Sequence, residues 1–245
     1  MRSVDSSSSS ARPGVLVVGH ERSGTHFLMN SLAQSRGYVA APWVDFDSPP
    51  LAINFFDPLA VAATLESTFL ATPGRIVKSH HQAEFFAPII ELILARYVVL
   101  YIHRHPADVL ASFWTLLSRF TWHEGPDARS LAAFAAAAPE GRLLRYQWRQ
   151  ESTMLRRWES HVAGWRSLAD RHSGIQVIAY EDLRDRYHDT IAALTPRLGP
   201  ALNTTPPSRT ENVIAGGPRR ATPTEIEALR VMTRRARGAD GWTPP

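Results

Sequence analysis

Short apolar runs alternate with segments of helical periodicity along most of the chain, and this alternation predicts the fold. Four runs have the β-branched, apolar character of buried strands: Val15–Val18, Arg75–Ser79, Tyr97–Ile102 and Ile175–Tyr180. Apolar residues elsewhere recur at helical spacing and predict helices at about 24–35, 58–70, 83–95, 106–119, 151–171, 183–195 and 223–236. The pattern favours a three-layer α/β/α fold in which helices cover both faces of a central, mostly parallel sheet.

Three segments do not follow the alternation. Residues 38–57 and 119–150 contain several prolines, so we predict loop-rich insertions there, with a helical piece in the alanine run 132–138. Residues 1–13 carry a serine run and lack the apolar core of a secretory signal, which predicts a disordered leader and a cytoplasmic protein. Residues 14–245 are then expected to form a single domain.

Composition narrows the range of partners. Lys and Arg number 27 against 23 Asp and Glu, and a net charge of only +4 argues against a dedicated nucleic-acid-binding protein. The same mild excess, mostly arginine, suits a small polyanionic ligand. The absence of cysteine excludes thiol catalysis, thiolate metal sites and disulfides. No apolar run approaches the roughly 20 residues of a membrane-spanning helix, so no membrane insertion is expected.

The most informative segment follows the first strand. Residues 19–24, Gly-His-Glu-Arg-Ser-Gly, precede a predicted helix, and we refer to them as the anion loop. Backbone N–H groups of such a glycine-bounded loop converge before a helix N-terminus, which favours binding of a phosphate or sulfate group. The glycine spacing is that of a nucleotide-kinase P-loop. However, Thr25 and His26 stand where a kinase needs Lys and then Ser or Thr for phosphate and Mg²⁺, so no metal is expected.

A second anion-binding segment follows the third predicted strand. Arg104 stands at the carboxyl end of that strand, Pro106 suits the first position of a helix, and Ser112 lies one to two turns into it. In a parallel sheet the carboxyl ends of neighbouring strands share one edge, so Arg104 and Ser112 are expected beside the anion loop. The alternative is an Arg104–Asp108 ion pair and a surface serine.

These segments resemble motifs of the sulfotransferases that use 3′-phosphoadenylyl sulfate (PAPS). Arg22-Ser23-Gly24-Thr25 is similar to the 5′-phosphosulfate loop of that family, and the Arg104 to Ser112 segment to its 3′-phosphate motif. Three further segments resemble the family in the same order: Lys78-Ser79-His80, the helical segment Trp158 to Trp165, and Tyr180-Glu181-Asp182-Leu183. The resemblance covers about residues 14–200, and Gly216 to Arg220 has a different residue order from the C-terminal loop of the family.

The resemblance implies a P-loop-like enzyme that moves a sulfuryl group from PAPS to a hydroxyl, or less favourably an amine. The product would be adenosine 3′,5′-bisphosphate (PAP). His80 is implied as the general base, Lys78 as a contact to the transferring group, and Arg22 as the charge that stabilises the leaving phosphate. The implied cofactor-binding residues are Arg22, Ser23, Gly24, Thr25, His26, Phe27, Arg104, Ser112, Tyr180 and Arg219.

Each candidate also has a structural interpretation. The structural alternative for Arg22 is a surface ion pair with Glu21. The other candidates that can instead be core or solvated side chains are Phe27, Lys78, His80, Tyr180, Arg219 and the neighbouring Arg220. The rivals of His80 for the role of base are His26 and His81. For Trp158, His161 and Trp165 we favour packing against the sheet, because they share one helical face.

The acceptor is expected to be a small aromatic or lipophilic molecule, because aromatic residues cluster outside the motifs and favour an apolar pocket. These residues are Trp43, Phe46, Phe55, Phe56, Phe85, Phe86, Trp114, Phe120 and Trp122. Two other functional classes stay open. A P-loop small-molecule kinase would require magnesium and a loop lysine, and a nucleotide-binding module would lack catalysis.

Overall fold

The computed structural model describes residues 12–45, 53–67, 72–120, 123–208 and 220–239, with the side chains of 41–45 and 235–239 excepted. Its centre is a 5-stranded sheet in the order β2-β3-β1-β4-β5, and every neighbouring pair is parallel. The strands are β1 (Gly14–Val18), β2 (Val39–Asp45), β3 (Arg75–Ser79), β4 (Tyr97–His103) and β5 (Ile175–Ala179). The predicted fold class, a three-layer α/β/α architecture, is confirmed.

Helices connect the strands and cover both faces of the sheet. They are α1 (Thr25–Ala33), α2 (Pro58–Leu65), α3 (Ile90–Leu94), α4 (Pro106–Leu117), α5 (Leu131–Ala136), α6 (Met154–Arg171), α7 (Tyr180–Asp185), α8 (Tyr187–Ala192), α9 (Thr195–Leu198) and α10 (Pro223–Ala239). Within the described ranges, none of these helices is both long enough and apolar enough to span a bilayer.

The central strand β1 divides the core into two halves. Leu16 and Val18 point to one face and pack with the side chains of α6, whereas Val15 and Val17 point to the other and pack with α1. All four side chains are buried, as the apolar run predicted. The two faces together hold β1 rigidly, and the anion loop begins at its carboxyl end.

Strand β2 lies in a segment that the sequence predicted to be a loop-rich insertion, and that prediction is wrong. The strand contains Pro42, which cannot donate a hydrogen bond to a neighbouring strand. The sheet accommodates it at an edge, where β2 pairs only with β3 and its register shifts between Val39 and Val44. An edge strand with proline lacks the continuous apolar pattern that identified the buried strands.

Two predicted helices are broken. The segment predicted as 83–95 forms two 3₁₀ turns, Ala83–Phe85 and Ala87–Ile89, before the short helix α3, and Pro88 lies in the second turn. The segment predicted as 183–195 divides between α7 and α8 at Arg186, whose ψ of 45° is not helical. Tyr180 was expected to end a strand, but it begins α7.

Arg12 connects the start of the described chain to the domain. Its guanidinium donates hydrogen bonds to the carbonyl oxygens of Leu198 (2.8 Å), Pro200 (2.6 Å) and Arg36 (3.2 Å). Its own carbonyl accepts a hydrogen bond from Gly74. These bonds lie near the amino ends of the strands, opposite the edge where the candidate site is found.

Candidate active site

Four strands end at one edge of the sheet, and each carries a predicted functional segment there. The anion loop follows β1, Lys78 and His80 stand at the end of β3, Arg104 follows β4, and Tyr180 follows β5. Because the strands are parallel, this edge is where ligands bind in open α/β sheets. Of the predicted site residues, Arg219 alone lies outside the described residues.

The glycines of the anion loop are required by its geometry. A Cβ on Gly19 would lie 2.6 Å from the carbonyl oxygen of Ile102. Gly24 has a φ of +101°, and a Cβ there would lie 2.4 Å from the ring of Tyr180. The loop therefore packs against the ends of β4 and β5 at distances that only glycine permits.

Arg22 joins the two predicted anion segments. Its φ is 70°, a left-handed conformation that is unfavourable for a residue with a long side chain. Its Nε donates a hydrogen bond to Ser112 Oγ at 2.9 Å, across 90 residues of sequence. Glu21, the surface partner that the sequence offered for Arg22, receives two hydrogen bonds from Arg157 of α6. The Arg22 guanidinium thus links the anion loop to the second anion-binding segment.

The loop offers hydrogen-bonding groups that fit an oxyanion. Ser23 Oγ is buried and lacks a hydrogen-bond partner, which is costly unless a ligand supplies one. Helix α1 begins at Thr25 with no side-chain cap, so the first N–H groups of the helix have no partner from a capping side chain. Thr25 is buried beside them and His26 is half-buried. These groups suit a phosphate or sulfate.

Arg104 and Tyr180 form the wall next to the loop. The Arg104 guanidinium lies over the Tyr180 ring, with Cζ 4.4 Å from the ring centroid. Asp108, the alternative partner of Arg104, instead receives two hydrogen bonds of 2.9 Å from Arg230 of α10. Arg104 therefore keeps its position through the aromatic ring.

Phe27 lies in the core. Its side chain is buried, stacks on Tyr187 with 5.8 Å between ring centroids, and meets Tyr180 edge-on. Packing in the core is the structural alternative that the sequence left open for Phe27.

His80 has a defined tautomer. Its Nδ1 lies 2.7 Å from the carbonyl oxygen of Gly19, and since a carbonyl only accepts, Nδ1 carries the proton. Its Nε2 lies 3.2 Å from Lys78 Nζ, and because an ammonium group only donates, Nε2 accepts this hydrogen bond with its lone pair. The two residues share one side of the strand end, as their spacing predicted. The arrangement presents a basic nitrogen next to a cation.

His81 points into the core. It stacks on Phe55 with 3.6 Å between ring centroids, and its Nδ1 lies 2.9 Å from Ser79 Oγ. Its side chain is buried. Of the two adjacent histidines, His80 is thus the one beside Lys78 and the anion loop.

An aromatic cluster adjoins His80. Tyr146 meets the His80 ring edge-on at 5.5 Å. The His81 ring contacts both Tyr146 and Phe85, and Phe85 in turn contacts Trp148 at 5.0 Å. Phe56 stacks on Trp148 at 5.4 Å and is 62% exposed. We call Phe56, Phe85, Tyr146 and Trp148 the aromatic cluster. Of the aromatic residues that the sequence listed for the acceptor, Phe55, Phe86 and Trp114 are buried, and Phe46 and Trp122 lie outside the described residues.

In the part of the chain that the structure describes, no group of three or more His, Cys, Asp or Glu side chains is arranged to hold a metal ion. Independence of metal stays a prediction from the loop sequence.

The sulfotransferase domain family matches residues 12–213, which is most of the chain. The chain belongs to the sulfotransferase family. No curated protein matches it by sequence. The family that the motifs resemble is thereby confirmed.

Two solved structures are similar to this sulfotransferase-family chain. Mouse sulfotransferase SULT7A1 complexed with PAP matches with a TM-score of 0.51 and 17% identity, over 78% of this chain and 60% of the other. Retinol dehydratase in a complex with retinol and PAP matches with a TM-score of 0.50 and 18% identity, over 91% of this chain and 65% of the other. At this identity the likeness shows the fold, and the chain spans less than two thirds of either structure.

The sequence missed a buried network between α6 and the anion loop of this sulfotransferase-family chain. Arg157 donates hydrogen bonds to both carboxylate oxygens of Glu21, at 2.9 and 2.8 Å, and to His20 Nε2 at 2.7 Å. Burial opposes ionisation of Glu21, but attraction to Arg157 holds its pKa well below the usual range. An arginine on the buried face of an amphipathic helix was the available signal, because such a residue requires a buried partner.

The same helix contacts the strand end that carries His80. His161 Nε2 donates to the carbonyl oxygen of His80 at 3.1 Å, and Trp165 Nε1 donates to that of His81 at 3.0 Å. Tyr101 donates from its hydroxyl to His161 Nδ1 at 3.1 Å. Burial lowers the pKa of His161 well below its usual range, so the ring is neutral. The sequence predicted packing for these residues, and the structure adds hydrogen bonds to the backbone beside the candidate base.

Proposed function

We propose that this chain transfers a sulfuryl group from PAPS to a hydroxyl group of a small aromatic or lipophilic acceptor. The observation that carries the proposal is the Arg22–Ser112 hydrogen bond of 2.9 Å, which joins two predicted anion segments beside His80 and Lys78. PAPS has a 5′-phosphosulfate and a separate 3′-phosphate, and thus needs two adjoining anion sites. Membership of the sulfotransferase family and the PAP bound in both similar structures support the assignment.

The proposed donor site uses the anion loop for the 5′ end and the second segment for the 3′ end. Ser23 Oγ, Thr25 and the N–H groups that start α1 would hold the 5′-phosphate. Arg104 and Ser112 would hold the 3′-phosphate. Tyr180, placed between Gly24 and Arg104, would contact the edge of the adenine. Each of these groups lies at the same edge of the sheet.

Sulfuryl transfer resembles phosphoryl transfer, in that positioning and charge stabilisation account for most of the catalysis. When bound, PAPS supplies the activated sulfuryl group. Arg22 would stabilise charge on the departing phosphate, and as an arginine it does so without giving up a proton. His80 Nε2 would take the proton of the acceptor hydroxyl.

Lys78 occupies the lone pair of His80 Nε2 in this structure. An acceptor hydroxyl that donates to Nε2 would displace the ammonium group, which would then be available to contact the sulfuryl oxygens. Lys78 and His80 would thus exchange partners when the acceptor binds. The hydrogen bond from Nδ1 to Gly19 keeps the ring in the orientation and tautomer that this requires.

The aromatic cluster supports the proposed acceptor class. Phe56 and Trp148 are stacked and partly exposed, and Tyr146 of the same cluster meets the His80 ring edge-on. A flat apolar ring can pack on such aromatic side chains with its hydroxyl directed to a polar group. We therefore expect phenols and similar compounds to be better acceptors than sugars.

The donor assignment is tested by calorimetric titration with adenosine 3′,5′-bisphosphate, AMP and ATP. The bisphosphate is expected to bind at least ~10-fold more tightly than AMP, about 1.4 kcal/mol, because Arg104 and Ser112 would contact the second phosphate. Turnover with PAPS and a phenol panel is expected to survive EDTA. Equal affinity for the bisphosphate and AMP, or a strict need for Mg²⁺ with ATP, would favour the kinase instead.

The acceptor assignment is tested by Phe56→Ala with Leu59→Ala as its matched control. Both side chains are exposed and apolar, but only Phe56 stacks on Trp148. Phe56→Ala is expected to raise the KM for a phenol by roughly 2- to 12-fold, since an aromatic contact is worth about 0.5–1.5 kcal/mol. Nucleotide affinity should stay the same. An equal change in both variants would place the acceptor elsewhere.

A further inference from the structure

The anion loop contains a carboxylate, Glu21, next to its cation. A negative charge beside a site for phosphate or sulfate would repel the ligand unless it were neutralised. Arg157 neutralises it through two hydrogen bonds of 2.9 and 2.8 Å, and both side chains are buried. The loop therefore depends on a charge that comes from α6, 136 residues away in sequence.

A buried ion pair is weak evidence of a contribution to stability. Taking two charges out of water costs several kcal/mol, and the attraction between them repays this only with good geometry and further hydrogen bonds. Replacing such a pair with apolar residues is often neutral or stabilising. The pair in this chain, with Arg157 only 1% exposed, thus suggests a role other than stability.

The pair is placed where it fixes the loop backbone. Arg157 contacts both His20 and Glu21, while the Ser23 N–H donates to the His20 carbonyl at 3.0 Å to close the turn. Arg22, between them, has the strained φ of 70°. A strained residue keeps its conformation only when its surroundings determine it fully. Arg157 on one side and Ser112 on the other supply those constraints.

We propose that Arg157 is a positioning residue for the anion loop. Through its ion pair with Glu21 it holds Arg22 in the left-handed conformation that directs the guanidinium to Ser112, and it cancels the charge of Glu21 beside the anion site. It acts through Glu21 and Arg22 and has no contact with the reacting atoms. This inference rests on the proposed function only where it takes the bound anion to be part of a nucleotide.

The experiment compares Arg157→Lys with Arg156→Lys. The two arginines are neighbours on α6, but Arg156 is exposed and pairs with Glu159 at the surface. Lysine keeps the charge of Arg157 but cannot reproduce the two parallel hydrogen bonds to Glu21. The double variant Glu21→Gln/Arg157→Gln removes both charges and keeps a polar side chain at each position, which tests the loop without an unpaired charge.

The first readout is hydrogen exchange of the loop amides, residues 20–25, in the ligand-free protein. Arg157→Lys and the double variant are expected to raise exchange in this segment by about 10-fold or more, while β1 stays protected and Arg156→Lys stays like wild type. This measurement needs no donor. It therefore separates failure of this inference from failure of the proposed function, which would appear as absent binding of adenosine 3′,5′-bisphosphate by wild type.

The second readout is affinity for adenosine 3′,5′-bisphosphate, together with kcat. Arg157→Lys is expected to lose about 10-fold or more in affinity and to lower kcat, because a displaced Arg22 serves neither binding nor charge stabilisation. A folded Arg157→Lys or double variant with wild-type loop exchange would overturn the inference. If Arg157→Lys does not fold, a folded double variant with increased loop exchange supports it and one with unchanged exchange refutes it. If neither variant folds, the pair serves stability and the inference fails.

Discussion

The anion loop depends on backbone conformations and contacts that few residues can provide. Gly19 and Gly24 allow the loop to approach Ile102 and Tyr180, and Arg22 accepts a positive φ that side chains normally avoid. Such strain is tolerated where function requires it. His80 has an equally restricted position, because Gly19 determines its tautomer and Lys78 contacts its basic nitrogen. Single side chains therefore determine the geometry of this edge.

Replacement of His80 by Ala is expected to lower kcat by about 10²–10⁴-fold, because the proposed proton acceptor is lost. Affinity for adenosine 3′,5′-bisphosphate should remain near that of wild type, since His80 is proposed to contact the acceptor. Steady-state kinetics and calorimetry on the folded variant measure both quantities. The companion variant His81→Ala should instead lower the melting temperature, because His81 stacks on Phe55 in the core. A fully active His80→Ala variant would assign the base to another residue.

Helix α6 organises both halves of the site. Arg157, His161 and Trp165 lie one turn apart on its buried face and hold, in order, the anion loop, the His80 carbonyl and the His81 carbonyl. Gly164 lies next to Trp165 and faces the 3₁₀ turn that begins at Ala83. The helix thereby sets the distance between the loop and the strand end.

Alanine at Gly164 and at Gly24 is expected to act in opposite directions. At Gly164 the new Cβ would lie 3.4 Å from the Ala83 Cβ, an ordinary contact, and alanine in a helix should raise the free energy of unfolding by about 0.5–1 kcal/mol. At Gly24 the φ of +101° and the Tyr180 ring forbid alanine, so nucleotide affinity should fall. Denaturant titration and calorimetry on both variants provide the check. A stabilised Gly24→Ala variant with normal affinity would contradict the loop geometry.

At the scale of the whole molecule, buried histidines make stability dependent on pH. Burial lowers the pKa of His20 from 6.5 to about 4, and it lowers the pKa of His161 as well. Both rings are neutral in the folded protein, whereas in the unfolded chain they gain protons below about pH 6.5. Their contribution is complete above that pH and is lost as the pH falls towards 4. Glu21, whose pKa is lowered, adds a loss in the same direction at still lower pH.

The free energy of unfolding is therefore expected to be lower at pH 5 than at pH 7, by roughly 2 kcal/mol from His20 alone. Urea titration at the two pH values gives the difference. His161→Gln should reduce it, because one buried imidazole is removed. The surface variant His188→Ala should leave it unchanged, since that side chain is 74% exposed. A protein equally stable at both pH values would show that these histidines are charged in the fold.

The sequence by itself determined four of the five strands of the sheet and the end of the sheet at which the candidate site lies. Strands β1, β3, β4 and β5 were predicted because burial on both faces requires continuous apolar runs, and local periodicity records burial. The motif residues Arg22, His80, Arg104 and Tyr180 follow these strands, so their meeting at one edge was predictable from parallel topology. Edge strand β2 and the broken helices were missed, because Pro42, Pro88 and partial exposure weaken the periodic pattern.

Only the tertiary structure decided which polar groups bind one another. Arg22 bonds Ser112 across 90 residues and Glu21 bonds Arg157 across 136, although the sequence offered Glu21 as the neighbour of Arg22. The structure likewise directed His80 to Lys78 and His81 into the core, and it assembled the aromatic cluster from residues 56 to 148. Periodicity identifies the buried face of an element. The pairing of charges depends on the close approach of distant elements, which no local pattern records.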